Sequence, residues 1–533
     1  MASLSDEVSL AENPLQCYIS SIPPEILSKI MLMCDRDLTI WDEMRYWQPA
    51  GHNIPVRLTQ ICSSWRMVAL DTRELWSTVT LMLNPKLVRN TSAITKFADY
   101  WLAKGQRSKL ALKIDICPIF DDRIDLEPIG QLLTSWASDW RILTLANCPD
   151  SMAEYVIATM AQSPHLSLEE FELHAFSTVW HNRFEALAAL PRLRTVTFRT
   201  WRTPSTHHIL TLLLLPWSQL ESVSISAPVS GHECLDVLQN CPELTTLELY
   251  VVSDVPDPES RRPVTLSKLS RLRLVAEILW DHNTSDIESF LGVLHLPILI
   301  DLDLYFIGRD PWNPLVSFFW QRHAARLRTL ELSNLYFRAD LRLLFLTMPN
   351  LVSLKLSPRE IRLTAPDFDV LRVEHLLPAL THLDVAVGYE RGVHAIDSVR
   401  SVITLLEARS TTTTGVAQLA QVRLADWTDW DEVDRDLSKA DPEAMVVELQ
   451  RLHVLEAAGM DVHWMVGGRD VLVSRATSIR SPSIRSASPR PSSSSEHHFD
   501  SDPTAPIPSL TNPKRNPLWR FWQRIKTIRL RSV

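Results

Sequence analysis

Asn240-Cys-Pro-Glu-Leu-Thr-Thr-Leu-Glu-Leu249 sets Leu244, Leu247 and Leu249 in the order apolar-x-x-apolar-x-apolar. The same spacing begins again at Trp140, Leu168, Leu193, Leu220, Leu269, Leu299, Leu327, Leu351, Leu380 and Leu419, at intervals of 24 to 30 residues and, before the last, of 39. Eleven copies in phase make an internal repeat. A period in this range belongs to stacked units, none of which can bury its apolar face alone.

Each apolar-x-apolar step reads as a short strand: side chains alternate, so its two apolar residues point inward and the residue between them points to the other face. Stacking the units gives a curved parallel sheet. Segments between the strands carry helical stripes, for example His207 to Leu215 and Gly231 to Leu238, that would cover the outer face. Several copies follow Pro or Cys-Pro, as in Met348-Pro-Asn-Leu-Val-Ser-Leu-Lys-Leu356. In this the pattern resembles the leucine-rich-repeat family, and the expected fold is α/β, a helical N-terminus followed by a repeat solenoid. Val446 to Leu455 followed by Asp461 to Met465 is the expected C-terminal closure.

The residue between the last two apolar positions of each copy should face the open side. These residues are Thr144, Glu172, Thr197, Ser224, Glu248, Arg273, Asp303, Glu331, Lys355, Asp384 and Arg423, all charged from Glu248 onward. Equivalent positions on neighbouring strands lie about 4.8 Å apart. Glu248, Arg273, Asp303 and Lys355 then have opposite-sign neighbours, while Asp303 beside Glu331 is a like-sign clash that invites an external cation. Tyr250, Arg271, Asp301 and Tyr305 project from the same face, and Tyr and Arg are common interface anchors. The expected protein-binding set is therefore Glu248, Tyr250, Arg271, Arg273, Asp301, Asp303 and Tyr305, with Trp201, His174 and Arg199 as weaker candidates. The competing reading is a ladder of solvated ion pairs worth about 0–1 kcal/mol each.

Upstream of the repeats stand Ile22-Pro-Pro-Glu-Ile-Leu27, Leu58-Thr-Gln-Ile-Cys-Ser-Ser-Trp-Arg66 and Glu74-Leu-Trp76. Ser20 or Ser21 suits a cap, Pro23 and Pro24 a first turn, and Glu25 the positive end of the helix dipole. Ile26, Leu27, Ile30, Met31 and Cys34 form one apolar stripe, and Leu58, Ile61, Cys62, Trp65, Val68 and Ala69 another, so two short amphipathic helices are expected. This order of motifs, over about Ser20 to Val79, resembles the F-box family. The resemblance implies docking to an Skp-type adaptor and, through it, a cullin complex. It would use Ile22, Pro23, Pro24, Ile26, Leu27, Ile30, Leu58, Cys62, Trp65, Leu75 and Trp76. Asp35 to Pro55 is a longer connection than that family usually has.

The chain has 533 residues, 45% of them hydrophobic, enough for a large core. Its seven cysteines are scattered, without a Cys-x-x-Cys pair, which argues against a disulfide framework or zinc module and for a reducing compartment. No apolar run is long enough to span a bilayer. A soluble protein of the cytoplasm or nucleus is expected. Net charge is −9; residues 474–533 hold 11 Lys/Arg against 3 Asp/Glu, +8, so the first 473 carry −17. That opposes nucleic-acid binding by the body. The organisation read from the sequence is residues 1–19 flexible, 20–83 F-box-like, 84–473 solenoid with its cap, 474–517 a disordered Ser/Pro/Arg linker, and 518–533 a basic amphipathic tail. For the tail, docking on the acidic body competes with weak contact to an anionic membrane surface.

No catalytic constellation is present: the 12 glycines build no phosphate loop, Gly-x-Gly-x-x-Gly or Gly-x-Ser-x-Gly elbow. His207-His208 and His497-His498 lack partners at metal-ligand spacing, and Asp426 to Asp436 lacks the glycine and terminal Glu of a calcium loop. No cofactor is expected. The sequence points to a non-catalytic receptor subunit of a ubiquitin ligase, with a leucine-rich-repeat scaffold lacking ligase function as the alternative.

Overall fold

The computed structural model describes residues 22–42, 54–83, 91–105, 110–116, 127–148, 150–162, 167–175, 185–200, 210, 213–252, 263–277, 285–307, 318–333, 341–357, 371–372, 376–386, 395–410, 417–426, 442–466 and 469–470. The expectations for residues 1–19, Trp201, residues 427–436, the 474–517 linker and the 518–533 tail lie outside them.

Apolar-x-apolar steps become strands in chain order: β1 (Thr78–Leu83), β2 (Leu110–Ile116), β3 (Trp140–Cys148), β4 (Glu170–Ala175), β5 (Thr195–Thr200), β6 (Ser222–Ser230) and β7 (Thr246–Val252). After the two-residue β8 (Val264–Thr265) come β9 (Arg271–Glu277), β10 (Leu294–His295), β11 (Asp301–Ile307), β12 (Thr329–Ser333), β13 (Ser353–Ser357), β14 (His382–Ala386), β15 (Gln421–Asp426), β16 (Asp461–Val466) and β17 (Arg469–Asp470). Apart from β8 and β10, which pair with each other, they form one 15-stranded sheet in sequence order. The sheet is parallel from β1 to β16, and β17 turns back antiparallel on β16. Most of the crossovers carry a described helix, as parallel pairing requires a long connection. The architecture is a leucine-rich-repeat type solenoid. Among the described residues no helix is long and apolar enough to cross a membrane.

Every apolar position of the eleven repeats is at most 4% exposed. The core that they form is continuous and runs on past both ends, from Leu27 and Met31 to Val462 and Trp464. Register shifts interrupt the ladder after Leu110, Leu145 and Ile225. Just past Leu145, Asn147 takes φ 54°, a left-handed conformation that Asn tolerates, and its amide donates to Asp115 Oδ1 at 2.8 Å. Of the expected stripes, Gly231–Leu238 is a helix. Of the stripe His207 to Leu215, residues 207–209, 211 and 212 lie outside the described residues, Leu210 is helical, and Leu213–Leu215 is irregular, with the Leu215 N–H donating to the Leu213 carbonyl at 2.7 Å.

The N-terminal element differs from the two expected helices in three ways. The first helix, Pro24–Asp42, runs well past Cys34. The next, Ile54–Ile61, begins before Pro55, so the long connection contracts to residues 43–53. Third, the second stripe is broken: Cys62 is extended (φ −157°, ψ 175°), its Sγ accepts from Trp65 N at 3.5 Å, and a separate helix Ser63–Asp71 starts there. A cap residue followed by two serines competes with helix continuation. The Arg66 Nε–H donates to the Thr59 carbonyl at 2.8 Å and ties the two pieces together.

At the exit of this element the Leu75-Trp76 pair is buried. The Trp76 indole donates to the Ala69 carbonyl at 2.7 Å and meets Trp101 edge-on at 4.7 Å. Gly105 packs so closely that a Cβ there would lie 2.7 Å from the Trp76 carbonyl oxygen. Residue 83 ends β1, which pairs with β2 from Thr78↔Ala111 to Leu83↔Ile116. The helices and the solenoid therefore share one sheet and one core, within a compact unit that ends at Thr477.

Candidate functional site

Backbone register carries the open-face row without interruption: Glu172 pairs with Thr197, Thr197 with Ser224, Ser224 with Glu248, Glu248 with Arg273, and Arg273 with Asp303. Beyond, Asp303 pairs with Glu331, then Lys355, Asp384 and Arg423 in turn. Three rungs escaped the sequence reading: Thr80 on β1 beside Lys113, Lys113 on β2 beside Thr144, and His463 on β16 beside Arg423. The strands of Lys113 and His463 lack the leading apolar residue, since Lys109 and Gly459 stand where it would fall. Trp76-x-x-Val79-x-Leu81 does match the spacing and could have located β1.

The residues proposed from sequence form a patch three strands wide. Its first row is Thr246, Arg271, Asp301, its second Glu248, Arg273, Asp303, and its third Tyr250, Val275, Tyr305. Val275, half-buried between the two half-buried tyrosines, was not singled out by the sequence because its alternation alone does not distinguish it. Arg271 reaches Asp301 Oδ2 at 3.3 Å. Arg273 holds Glu248 Oε1 at 3.0 Å and Asp303 Oδ2 at 2.9 Å, and Ser224 donates to Glu248 Oε2 at 2.8 Å. Lys355 pairs with Glu331.

Burial and the neighbouring Glu331 push the Asp303 carboxyl up to about 6, against Arg273 and Lys355. Burial also raises Asp384, which Arg423 and Lys355 oppose. Towards the other end Glu172 accepts from His174 at 2.7 Å and from Thr144 at 3.3 Å. The His174 hydrogen bond leads in holding the Glu172 carboxyl below its ordinary range.

Residues of the N-terminal set divide by burial. Leu27, Leu58, Leu75 and Trp76 are in the core and present no surface. Ile22 and Trp65 are half-buried against that core, and the Trp65 indole N–H has no hydrogen-bond partner. Pro23, Pro24, Ile26, Ile30 and Cys62 are exposed. Four further exposed apolar residues belong with them, Met33, Ile61, Met67 and Leu70. Of the thirteen large hydrophobic side chains exposed among the described residues, six lie on these three helices, so open apolar surface concentrates there.

A small gap between β6, β7 and helix Gly231–Leu238 has an apolar lining and belongs to the core. Burial pushes the Cys241 thiol there up to about 12, and Cys234 rises too, so neither is a ready nucleophile. Among the described residues no three His, Cys, Asp or Glu side chains are grouped to hold a metal ion.

No protein-family model matches the chain, and no curated protein matches it. Among solved structures, an internalin from Listeria monocytogenes is 12% identical, covers 57% of this chain and 88% of its own, and superposes with a TM-score of 0.31. A Bacteroides fragilis protein is also 12% identical, with 68% and 72% covered and a TM-score of 0.21. Superpositions at these scores add nothing to the fold, which rests on its own strand order and register.

Proposed function

We propose that the chain is a non-catalytic receptor subunit of an SCF-type ubiquitin ligase. The three N-terminal helices dock an Skp-type adaptor, which brings the cullin complex, and the open face of the solenoid holds the protein to be modified. Cytoplasm or nucleus is the compartment this role needs. Catalysis resides in the partner subunits; the receptor contributes proximity, which raises the effective concentration of the target lysine.

The observation that carries the reading is the strip Ile26, Ile30 and Met33, exposed by 47%, 37% and 65% at i, i+4 and i+7 of the first helix. Opposite it Leu27 and Met31 are fully buried. The helix is thus anchored by one face and offers the other, and an apolar patch of this kind marks a protein contact. The test is affinity purification of the full chain, with mass spectrometry, for wild type and for Ile26→Ser/Ile30→Ser/Met33→Ser. The adaptor and cullin are expected with wild type and lost with the folded triple variant. Leu27→Ala is unsuitable, because opening that cavity costs about 3 kcal/mol of stability. A second arm, Arg271→Ala/Arg273→Ala, should keep the adaptor and lose the solenoid's partner. An adaptor absent from wild type, or recovered equally with the triple variant, leaves the scaffold reading instead.

A further inference from the structure

Two cations serve three acids at the centre of the open face. Arg273 divides its guanidinium between Glu248 and Asp303, at 3.0 and 2.9 Å, and Lys355 is taken up by Glu331. The register puts Asp303 directly beside Glu331, one like-charged rung in a row that otherwise alternates. From Glu248 to Arg423 the seven rungs hold four acids and three bases, a net charge of −1. Among the described residues the groups facing Asp303 are Asp301 and Tyr305 on its own strand, Arg271 and Arg273 on β9, and Glu331 on β12. Glu248 and Lys355 follow one strand further out, and Arg271 is itself engaged by Asp301.

We propose that the Asp303–Glu331 step is a proton-operated switch of the charge on the open face. With a proton on Asp303, an acid lies beside a carboxylate and the seven rungs are neutral. Without it they carry −1, and Arg273 must hold Asp303 and Glu248 together. The exchange falls just below neutral pH, since burial and Glu331 raise the Asp303 carboxyl to about 6 from 3.8. The fold keeps this proton to a higher pH than the unfolded chain does. Its stabilising effect is complete below about pH 4 and is lost as pH rises through about 6. The switch stands whether or not the face docks a protein; its regulation of a partner rests on the reading above. A partner that meets this step with a Lys or Arg then binds the high-pH form.

Thermal unfolding of the full chain tests it without any partner. Asp303→Asn imitates the protonated acid and should melt about 2 °C above wild type at pH 7.5, the difference narrowing by about half at pH 5 and closing below about pH 4. A row of ordinary ion pairs predicts the opposite sign at pH 7.5, because the variant loses the Arg273 contact. A Tm equal to or below wild type at pH 7.5 overturns the proposal. In a Glu331→Gln background the gain from Asp303→Asn should shrink, and an undiminished gain would show that the like-charged neighbour is not the cause, which also overturns it.

Discussion

His323 illustrates how a single side chain can be placed by packing against its own chemistry. It lies at the end of helix Phe318–His323, is 2% exposed, packs on Phe319 with ring centroids 4.8 Å apart, and leaves Nε2 without a hydrogen-bond partner. Burial, with Arg322 nearby, pushes the imidazole down to about 4, although a backbone bond to Leu294 opposes. The fold therefore binds this proton less readily than the unfolded chain does. Stability is intact above about pH 6.5 and falls as pH drops towards 4, by up to about 3 kcal/mol. His323→Leu should flatten that acid limb, measured as Tm between pH 7.5 and pH 4.5; parallel profiles for variant and wild type would reject it. Nothing in the sequence around His323 announced this, because burial of a histidine depends on the neighbouring repeat. Arg273 and Asp303, by contrast, were legible from alternation alone: period two fixes the face, and the register of a parallel sheet fixes the neighbour.

Between elements, a polar clamp joins two helices at the C-terminal end. Glu448 on helix Pro442–Ala457 is 3% exposed and accepts from Arg400 Nε at 2.8 Å and Arg451 Nη1 at 2.6 Å. Arg451 reaches Glu407 on helix Ala395–Ser410 with two further bonds, at 2.7 and 2.6 Å. Removing one member of a buried charged set leaves its partners uncompensated, so Glu448→Ala should lower stability by about 3 kcal/mol and Glu448→Leu, which restores volume but not charge, by a similar amount. Hydrogen exchange across residues 395–466 reads the comparison, and near-wild-type protection in Glu448→Leu would show that the clamp contributes volume rather than charge. The strands of this end were readable as apolar-x-apolar steps, whereas the clamp needed the two helices in space. At the other end, the polar stretch after Cys34 looked like a loop yet is helix to Asp42. It contains no breaker, since no Gly or Pro stands between Pro24 and Pro49. Helix propensity without apolar periodicity is invisible to pattern reading.

Across the whole molecule, stability passes from neighbour to neighbour, as in any repeat array, and the N-terminal helices are the first neighbour in the line. Leu27, Leu75 and Trp76 are continuous with Val79, Leu81 and Trp101, and β1 pairs with β2 along its full length. Pattern reading reaches this continuity from the repeat itself: a solenoid end needs a cap, and the N-terminal helices with Leu75 to Leu83 stand where one is expected. Deleting residues 1–77 should expose the Trp101 side of the core and leave β1 without the turn that enters it. Hydrogen-exchange protection should then fall steeply over β1 to β3 and remain near wild type over β11 to β15, because solenoid cooperativity decays along the stack. A deletion variant with unchanged protection at β1 to β3 would mean that the helices fold apart from the solenoid. If the steep loss is found, a truncation cannot separate adaptor docking from folding. Surface changes at Ile26, Ile30 and Met33 can, since their exposed side chains leave the shared core untouched.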